Sequence, residues 1–335
     1  MIALLAGLLW MPAGALAVGA SEAPAAPPAA VASPTPAPAA ASAHDDLGFA
    51  RSLYDEGDYY RAIGEAKRFV YFHPEDARAD EAKLLVGMSY LAGGQWVAAA
   101  AALEPIVSRG LPGKVGADAA FALADTRMGA GDYDLAALEF RRFGEDYPED
   151  ARAALSALRM GWARMFAADV LASLDAKKGR AAFTEAAREL DAIPVSSPEH
   201  ARAVRLAAGS RRIAGLSYKH PALAGAMSAV IPGAGQVYAG RWKDGLIAFF
   251  VNSLFIGGAV ESYLKGNTVA SGILVLFEMG WYTGNIYSAV NSAHRTNDEH
   301  RAALLKDLKK DLYVRAAPIA GPHGGGAVAI LGGTF

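Results

Sequence analysis

The sequence predicts an all-α protein in which a solenoid of short helical repeats is followed by a small α-helical membrane domain. Two observations predict this fold class. A pattern of glycine, alanine and large apolar residues returns at a fixed spacing between residues 45 and 215, which is typical of stacked helix pairs. After residue 220, three apolar segments follow one another, which is typical of membrane helices.

Composition excludes several classes of function. The chain has 335 residues, of which 53% are hydrophobic, and its formal net charge is −2. Because basic residues are not in excess, we expect no nucleic-acid partner. The sequence contains no cysteine, which excludes disulfides, cysteine-ligated zinc and a cysteine nucleophile. Its seven histidines are scattered without metal-ligand spacing, so we expect no metal, no cofactor and no catalytic centre.

Residues 1–20 are predicted to be an export signal. They form an apolar run that ends in small residues, although no lysine or arginine precedes Ile2. The alternatives are an uncleaved anchor and a true start upstream. Residues 21–44 are rich in alanine and proline without periodicity, so we expect a disordered linker there.

Residues 45–215 are predicted to form about four helix pairs. A glycine recurs every 37 residues, with an alanine five positions after it and a large apolar residue twelve positions after it: Gly57, Gly94 and Gly131; Ala62, Ala99 and Ala136; Phe69, Ile106 and Phe143. The hexapeptide Pro-Glu-Asp-Ala-Arg-Ala begins at Pro74 and again at Pro148, and a degenerate copy begins at Pro198. Glycine suits the turn between two helices, alanine lets them approach closely, and proline ends the second one.

This pattern resembles tetratricopeptide repeats, with Gly87 and its counterparts Ala50 and Ala124 at the family's small-residue position. Residues 141–153, RRFGEDYPEDARA, are most similar to the envelope subclass, which includes the Tol-Pal coordination protein and outer-membrane assembly lipoproteins. The resemblance implies a scaffold that binds protein partners in a groove. The family's groove positions fall on Arg51, Tyr54, Leu84, Met88, Leu91, Phe121, Asp125 and Met128. The alternative is that several of these residues pack on the neighbouring helix.

Residues 230–250, VIPGAGQVYAGRWKDGLIAFF, contain a glycine motif ahead of an apolar run. A phosphate loop would need a preceding strand and a lysine where Gln236 stands, so we do not expect nucleotide binding. The motif comprises Pro232, Gly233, Gly235, Gln236, Tyr238 and Gly240. It resembles the hallmark of the small two-transmembrane-span domain family, and this resemblance implies that it leads into a helical hairpin.

Residues 216–295 are therefore predicted to be a membrane domain, with apolar segments at 221–238, 245–263 and 268–290. The second and third are long enough to cross a bilayer core of about 30 Å. The first is broken by Pro232 and either spans the membrane or dips into it. Three spans would place Arg241, Lys243 and residues 295–310 in the cytoplasm, as the positive-inside tendency favours, whereas two spans would leave them outside.

Glu278 lies near the middle of the third segment, where a charge costs on the order of 3 kcal/mol. Asn252 is expected at the same depth, so we expect a hydrogen bond from an uncharged Glu278 to Asn252 that holds the helices together. A proton or ion pathway is the alternative. Gly280 and Gly284 belong to a small-residue stripe that suits helix packing, including homo-oligomer formation.

Residues 296–335 are predicted to form an amphipathic helix on a membrane surface, opened by a capping box from Thr296 to Glu299, and then a glycine-rich tail.

The chain as a whole predicts a non-enzymatic scaffold of the bacterial cell envelope. We expect its repeats to bind envelope proteins or peptides in the periplasm and its hairpin to lie in the inner membrane, with the outer membrane as the alternative. A second hypothesis makes the hairpin around Glu278 a small transport or membrane-insertion module.

Overall fold

A computed structural model of the chain describes residues 43–313, with side chains from 46 to 310. The predicted export signal, nearly all of the linker and the glycine-rich tail lie outside the described residues. Residues 43–313 form thirteen helices and no strand, so the prediction of an all-α fold is confirmed.

Nine helices make up the predicted repeat region. They are α1 (Ala43–Asp55), α2 (Tyr59–Phe72), α3 (Ala79–Ala92), α4 (Trp96–Ser108), α5 (Gly113–Ala130), α6 (Tyr133–Asp146), α7 (Ala153–Leu174), α8 (Ala176–Asp191) and α9 (His200–Ala214). Each helix packs on the next one along the chain. The first helices also touch between α1 and α3, α3 and α5, and α7 and α9, and an ion pair from Asp125 to Arg159 joins α5 to α7. The pairs are therefore stacked in chain order.

The recurring glycines make the turns within the first three pairs. Gly57, Gly94 and Gly131 have φ values of 82°, 70° and 83°, in the left-handed region that other residues resist. The small-residue position is a site of close helix approach. A Cβ on Gly87 would lie 2.5 Å from a methyl carbon of Leu103, so the two helices of that pair leave no room for a side chain there.

The repeated hexapeptide folds into the same polar turn in both copies. Asp76 accepts the backbone N–H of Arg78 at 2.8 Å and its guanidinium at 2.7 and 3.0 Å, and Asp150 binds Arg152 in the same way. The Arg78 guanidinium also lies 5.2 Å from the ring centre of Phe69. The aspartate thus holds the arginine over the large apolar residue of the repeat, Phe69 in the first copy and Phe143 in the second, which explains why the hexapeptide recurs.

Four more helices follow: α10 (Pro221–Val230), α11 (Ala234–Tyr238), α12 (Trp242–Leu264) and α13 (Thr268–Tyr313). Helices α12 and α13 form a hairpin, and α10 and α11 pack against α13. Because α13 runs without interruption for 46 residues, no helix begins at Thr296. Its hydroxyl instead donates to the backbone oxygen of Ala239 at 2.9 Å, so the predicted capping box is wrong.

The second half of α13 packs on the last helix pairs. Leu305 is 4% exposed within a core formed with α7, α8 and α9, and Leu308 fills the space above Gly209. Arg301 is buried and forms an ion pair with Asp169 on α7. The leucine face that was predicted to lie on a membrane surface is thus covered by the repeat region, which corrects that prediction.

Candidate membrane hairpin and its glycine motif

Among residues 43–313, one helix is long and apolar enough to cross a membrane, namely α12 with 23 residues. The predicted segment 221–238 is divided between α10 and α11, which have 10 and 5 residues. A ten-residue helix rises only about 15 Å, half of a bilayer core. The first predicted segment is therefore two short helices and not one continuous helix, and residues 268–290 form the first half of α13.

The hairpin has an inverted pattern of burial. Within α12 only Gly245, Asn252 and Ala259 are buried, although most of the helix is apolar. Large apolar side chains point away from the protein on both helices, among them Leu246, Ile247, Phe249, Phe250, Leu254, Val260, Val269, Ile273, Leu276, Phe277 and Trp281. A continuous apolar surface of this extent is unfavourable in water and is expected where lipid surrounds the helices.

Small and polar residues fill the inside of the same domain. The buried hydrophobic residues of its core cluster are all alanines, namely Ala224, Ala239, Ala289 and Ala293. The buried polar residues include Ser228, Gln236, Asn252, Glu278 and Asn285. Small residues bring helix backbones close together, and buried polar groups bond across helices, as in helices that associate within lipid.

Two glycines of the motif allow backbones to approach. Gly233 has a φ of 87°, and a Cβ there would lie 2.9 Å from the carbonyl carbon of Gly245 on α12. Gly235 is helical, and its Cβ would lie 2.7 Å from both the carbonyl carbon of Ala224 and the Cβ of Ala289. Gly240, with a φ of 87°, makes the turn into α12. The glycines therefore serve packing and turning.

Gln236 is the polar centre of the motif and is 1% exposed. Its side-chain nitrogen donates to the backbone oxygen and Oδ1 of Asn285 at 3.1 and 2.9 Å. Its Oε1 accepts from the hydroxyl of Ser228 at 2.9 Å, and that hydroxyl accepts the N–H of Gly235 at 2.9 Å. This network joins α10, α11 and α13 inside the domain.

Tyr238 and Pro232, the two remaining motif residues, lie near the segment that connects α9 to α10 and at the end of α10, respectively. The Tyr238 hydroxyl accepts the N–H of His220 at 3.1 Å, and the ammonium of Lys219 lies 4.9 Å from its ring centre. Asn297 of α13 pairs with both backbone groups of Lys219, at 2.8 and 2.9 Å. Pro232 follows the end of α10, where Ile231 is extended. Gly235 and Gln236 of the motif thus contact α13, and Tyr238 binds the segment that leaves the repeats.

Sequence reasoning missed Ser228, Asn285 and Asn297 as parts of this network. A signal existed for Asn285, since it is a polar residue inside the predicted apolar segment 268–290. Its partner, however, stands 49 residues earlier in the chain.

The predicted bond between Asn252 and Glu278 is not formed. Both residues are buried, at 0% and 9% exposure. The amide nitrogen of Asn252 donates instead to the backbone oxygen of Ala248, at 2.6 Å on its own helix. In the described part of the chain, both oxygens of Glu278 and Oδ1 of Asn252 lack a partner. Within the described residues, Gly280 and Gly284 make no close helix contact, because a Cβ on either would meet no described atom within 4 Å.

Three of the eight predicted groove residues are core residues. Leu84, Phe121 and Asp125 are 5%, 8% and 8% exposed. Phe121 packs edge-to-face on Phe143 with ring centres 5.0 Å apart, and Asp125 forms a buried ion pair with Arg159. Since these side chains fill the space between neighbouring helices, they do not offer an open groove, which corrects the prediction for these three.

The other five are partly accessible. Tyr54 is half-buried against the ring of Tyr59, 5.6 Å away, and Arg51 pairs with Glu81. The remaining three, Met88, Leu91 and Met128, rest on the cores between pairs. Exposed aromatic residues occur instead on α2, where Tyr60, Tyr71 and Phe72 are 88%, 79% and 63% exposed.

Comparison of the chain with protein-family models, curated proteins and solved structures found no match. Among the described residues, no group of three or more histidine, aspartate or glutamate side chains is placed to hold a metal ion.

Proposed function

We propose that this protein is a membrane-anchored, non-enzymatic scaffold whose helical repeats bind protein partners beside a bilayer. The inverted burial of the α12–α13 hairpin supports the anchoring, since large apolar residues face outward while polar and small ones face inward. The 37-residue spacing and its resemblance to tetratricopeptide repeats support the binding role.

The contacts of α13 favour two spans over three. Arg301 and Leu305 of α13 pack on α7 and α9, so the end of α13 and the repeats lie on the same side of the bilayer. An even number of crossings satisfies this condition, and we propose that α12 supplies one and the apolar first half of α13, residues 268–290, supplies the other. Helices α10 and α11 then lie at the base of the hairpin, where Arg241 pairs with Asp244 at 2.7 Å.

We place the repeats in the periplasm of a bacterial cell, anchored in the inner membrane. The predicted export signal supports this orientation. The distribution of basic residues opposes this orientation, because such residues favour the cytoplasmic side of a membrane. Three of them, Arg241, Lys243 and Arg295, lie at the base of the hairpin beside the repeats, and Lys265 lies at its tip. Long exported domains cross the membrane largely regardless of such charges.

For the partner, we propose a protein or peptide that covers the exposed aromatic residues of α2. Tyr60 and Tyr71 lie on one side of that helix, and such rings are enriched at protein interfaces. We propose this surface as the binding site in place of Leu84, Phe121 and Asp125, whose side chains are buried.

Two measurements on the full chain test the proposal. After extraction of membranes with alkaline carbonate, the protein is expected in the pellet, and its release into the supernatant would refute the membrane anchor. Protease treatment of spheroplasts then reports on tags placed in the linker and at the C-terminus. Cleavage of both tags is the expected result for two spans and periplasmic repeats. Protection of both would put the repeats in the cytoplasm, and cleavage of the linker tag alone would mean three spans.

A further inference from the structure

The hairpin holds a cavity of about 400 Å³ between the middles of α12 and α13. Ile256 and Val260 of α12 and Val275 and Met279 of α13 form its rim and are 44–64% exposed, so the cavity opens outward. Each rim pair is separated by four residues, which places both members on the same face of their helix. Together the two pairs border a short apolar groove.

Glu278 lines this cavity and has no hydrogen-bond donor among the described residues. Nearby hydroxyl groups are already engaged. Tyr282 donates to the backbone oxygen of Ala229 at 3.0 Å, and Thr283 donates to that of Met279 at 2.8 Å. The Oδ1 of Asn252 on the facing helix is equally buried and also lacks a described partner. Of these two residues only Glu278 lines the cavity, so its carboxyl group is the unpaired polar group that the cavity presents.

The depth of Glu278 limits what supplies a donor. It stands ten residues after Thr268, the first residue of α13, which corresponds to about 15 Å along the helix. That distance is half of a bilayer core of about 30 Å, beyond the reach of lipid headgroups. Acyl chains carry no donor, so lipid leaves the carboxyl group unpaired.

We propose that this groove is the docking site for a transmembrane helix of a partner protein that carries a lysine or arginine at mid-depth. Such a helix would pack on the two rim pairs, and a lysine ammonium or an arginine guanidinium would donate N–H groups to the carboxyl group of Glu278. A basic residue inside a membrane is costly unless it is paired, which makes the pairing selective. The inference rests on the proposed membrane anchoring, and it adds a class of partner bound within the bilayer.

The test uses the full chain in phosphatidylcholine vesicles with two synthetic probes. One probe is a leucine-alanine transmembrane helix with a single central lysine, and the other has leucine at that position. Because the protein contains no cysteine, the change Leu264→Cys introduces a single fluorophore near the hairpin tip. Energy transfer to a labelled probe then reports association.

We expect the lysine helix to bind the Leu264→Cys protein roughly tenfold or more tightly than the same protein carrying Glu278→Gln, as a charge-assisted hydrogen bond requires. The leucine helix should not distinguish the two. The control Glu261→Gln removes an exposed carboxylate near the tip and should leave binding unchanged. Equal binding of both helices, or undiminished binding by Glu278→Gln, would overturn the proposal. So would energy transfer between two labelled copies that disappears with Glu278→Gln, since the occupant would then be a second copy.

Crosslinking keeps the test valid if the glutamine variant fails to fold. Met279→Cys and Phe277→Cys place a thiol at residues with 64% and 67% exposure, and only the first lies on the cavity. A cysteine-bearing lysine helix should form a disulfide at 279 and not at 277, and equal reaction at both would contradict the site. If the protein stays in carbonate-washed membranes but does not bind the lysine helix, the docking site is refuted and the membrane anchor is not. If carbonate releases the protein, the membrane anchor is refuted as well.

Discussion

Replacing Gly235 by alanine tests whether the glycine motif is a packing device. Gly235 is helical, so alanine meets no backbone restriction at this position. Its new Cβ would lie 2.7 Å from the carbonyl carbon of Ala224 on α10 and 2.7 Å from the Cβ of Ala289 on α13. Carbon atoms in contact are ordinarily about 3.5–4.0 Å apart. Helix α11 must therefore move about 1 Å away from both neighbours at once.

The loss in free energy of unfolding depends on the contacts that this movement disturbs. An added methyl group in a closely packed core destabilises by about 1–3 kcal/mol. We expect the upper end, about 3 kcal/mol, because the groups in the way are backbone and a Cβ, and because Gln236 beside it loses its alignment with Asn285. With an unfolding entropy of about 2.1 cal/mol/K per residue over residues 43–313, the melting temperature should fall by about 5 °C.

The assay is thermal unfolding of the purified full chain in detergent, followed by the fraction that remains monodisperse after heating. Gly284→Ala is the matched control, since its Cβ meets no described atom within 4 Å. It should leave the melting temperature unchanged or raise it slightly, because alanine favours a helix by about 1 kcal/mol over glycine. Equal melting temperatures for the two variants would refute the packing explanation of the motif.

Three further predictions concern other contacts. Gln236→Leu leaves buried atoms of Ser228 and Asn285 without partners, and we expect a loss of about 2–4 kcal/mol in thermal unfolding, whereas the exposed Gln95→Leu should have little effect. Arg301→Ala removes the ion pair with Asp169, so amides of residues 300–313 should exchange hydrogen faster, while exposed Lys306→Ala should not change them. Hydrogen bonds from the Arg78 side chain and backbone lower the pKa of Asp76 from 3.8 to about 2. The stabilisation by Asp76 is therefore complete above pH 3.8 and lost as the pH falls toward 2, so Asp76→Asn should flatten that part of the melting profile and exposed Glu75→Gln should not.

The helix pairs were predictable from sequence because their causes are local. Glycine at the turn, alanine at the close approach and proline at the helix end all act within one unit. Repetition of that unit along the chain then made the pattern visible. The repeat pattern did not predict which residues on the first helix of each pair are exposed to solvent. Whether Phe121 faces a groove or a core depends on Phe140, Phe143 and the arginines that later helices bring against it.

The polar contacts of the hairpin were not predictable because they join distant segments. The partner of Gln236 lies 49 residues along the chain and that of Lys219 lies 78 residues along it. A capping-box pattern at Thr296 reads the same whether a helix begins there or passes through. Only the contact of its hydroxyl with Ala239 decides between the two. Counting residues from the hairpin turn predicted that Asn252 and Glu278 lie at the same depth. It could not predict whether their side chains have the distance and orientation that a hydrogen bond needs.

Because α13 is one continuous helix, it connects the hairpin rigidly to the last helix pairs. From residue 290 to its end at Tyr313, the helix extends about 35 Å beyond the proposed bilayer. Membrane helices tilt in response to bilayer thickness. A change of about 10° at the hairpin would swing the far end of α13 by roughly 6 Å and carry α7 and α9 with it, through Arg301 and Leu305. In the scaffold proposed above, the thickness of the surrounding membrane would thereby change the angle at which the repeats meet a partner.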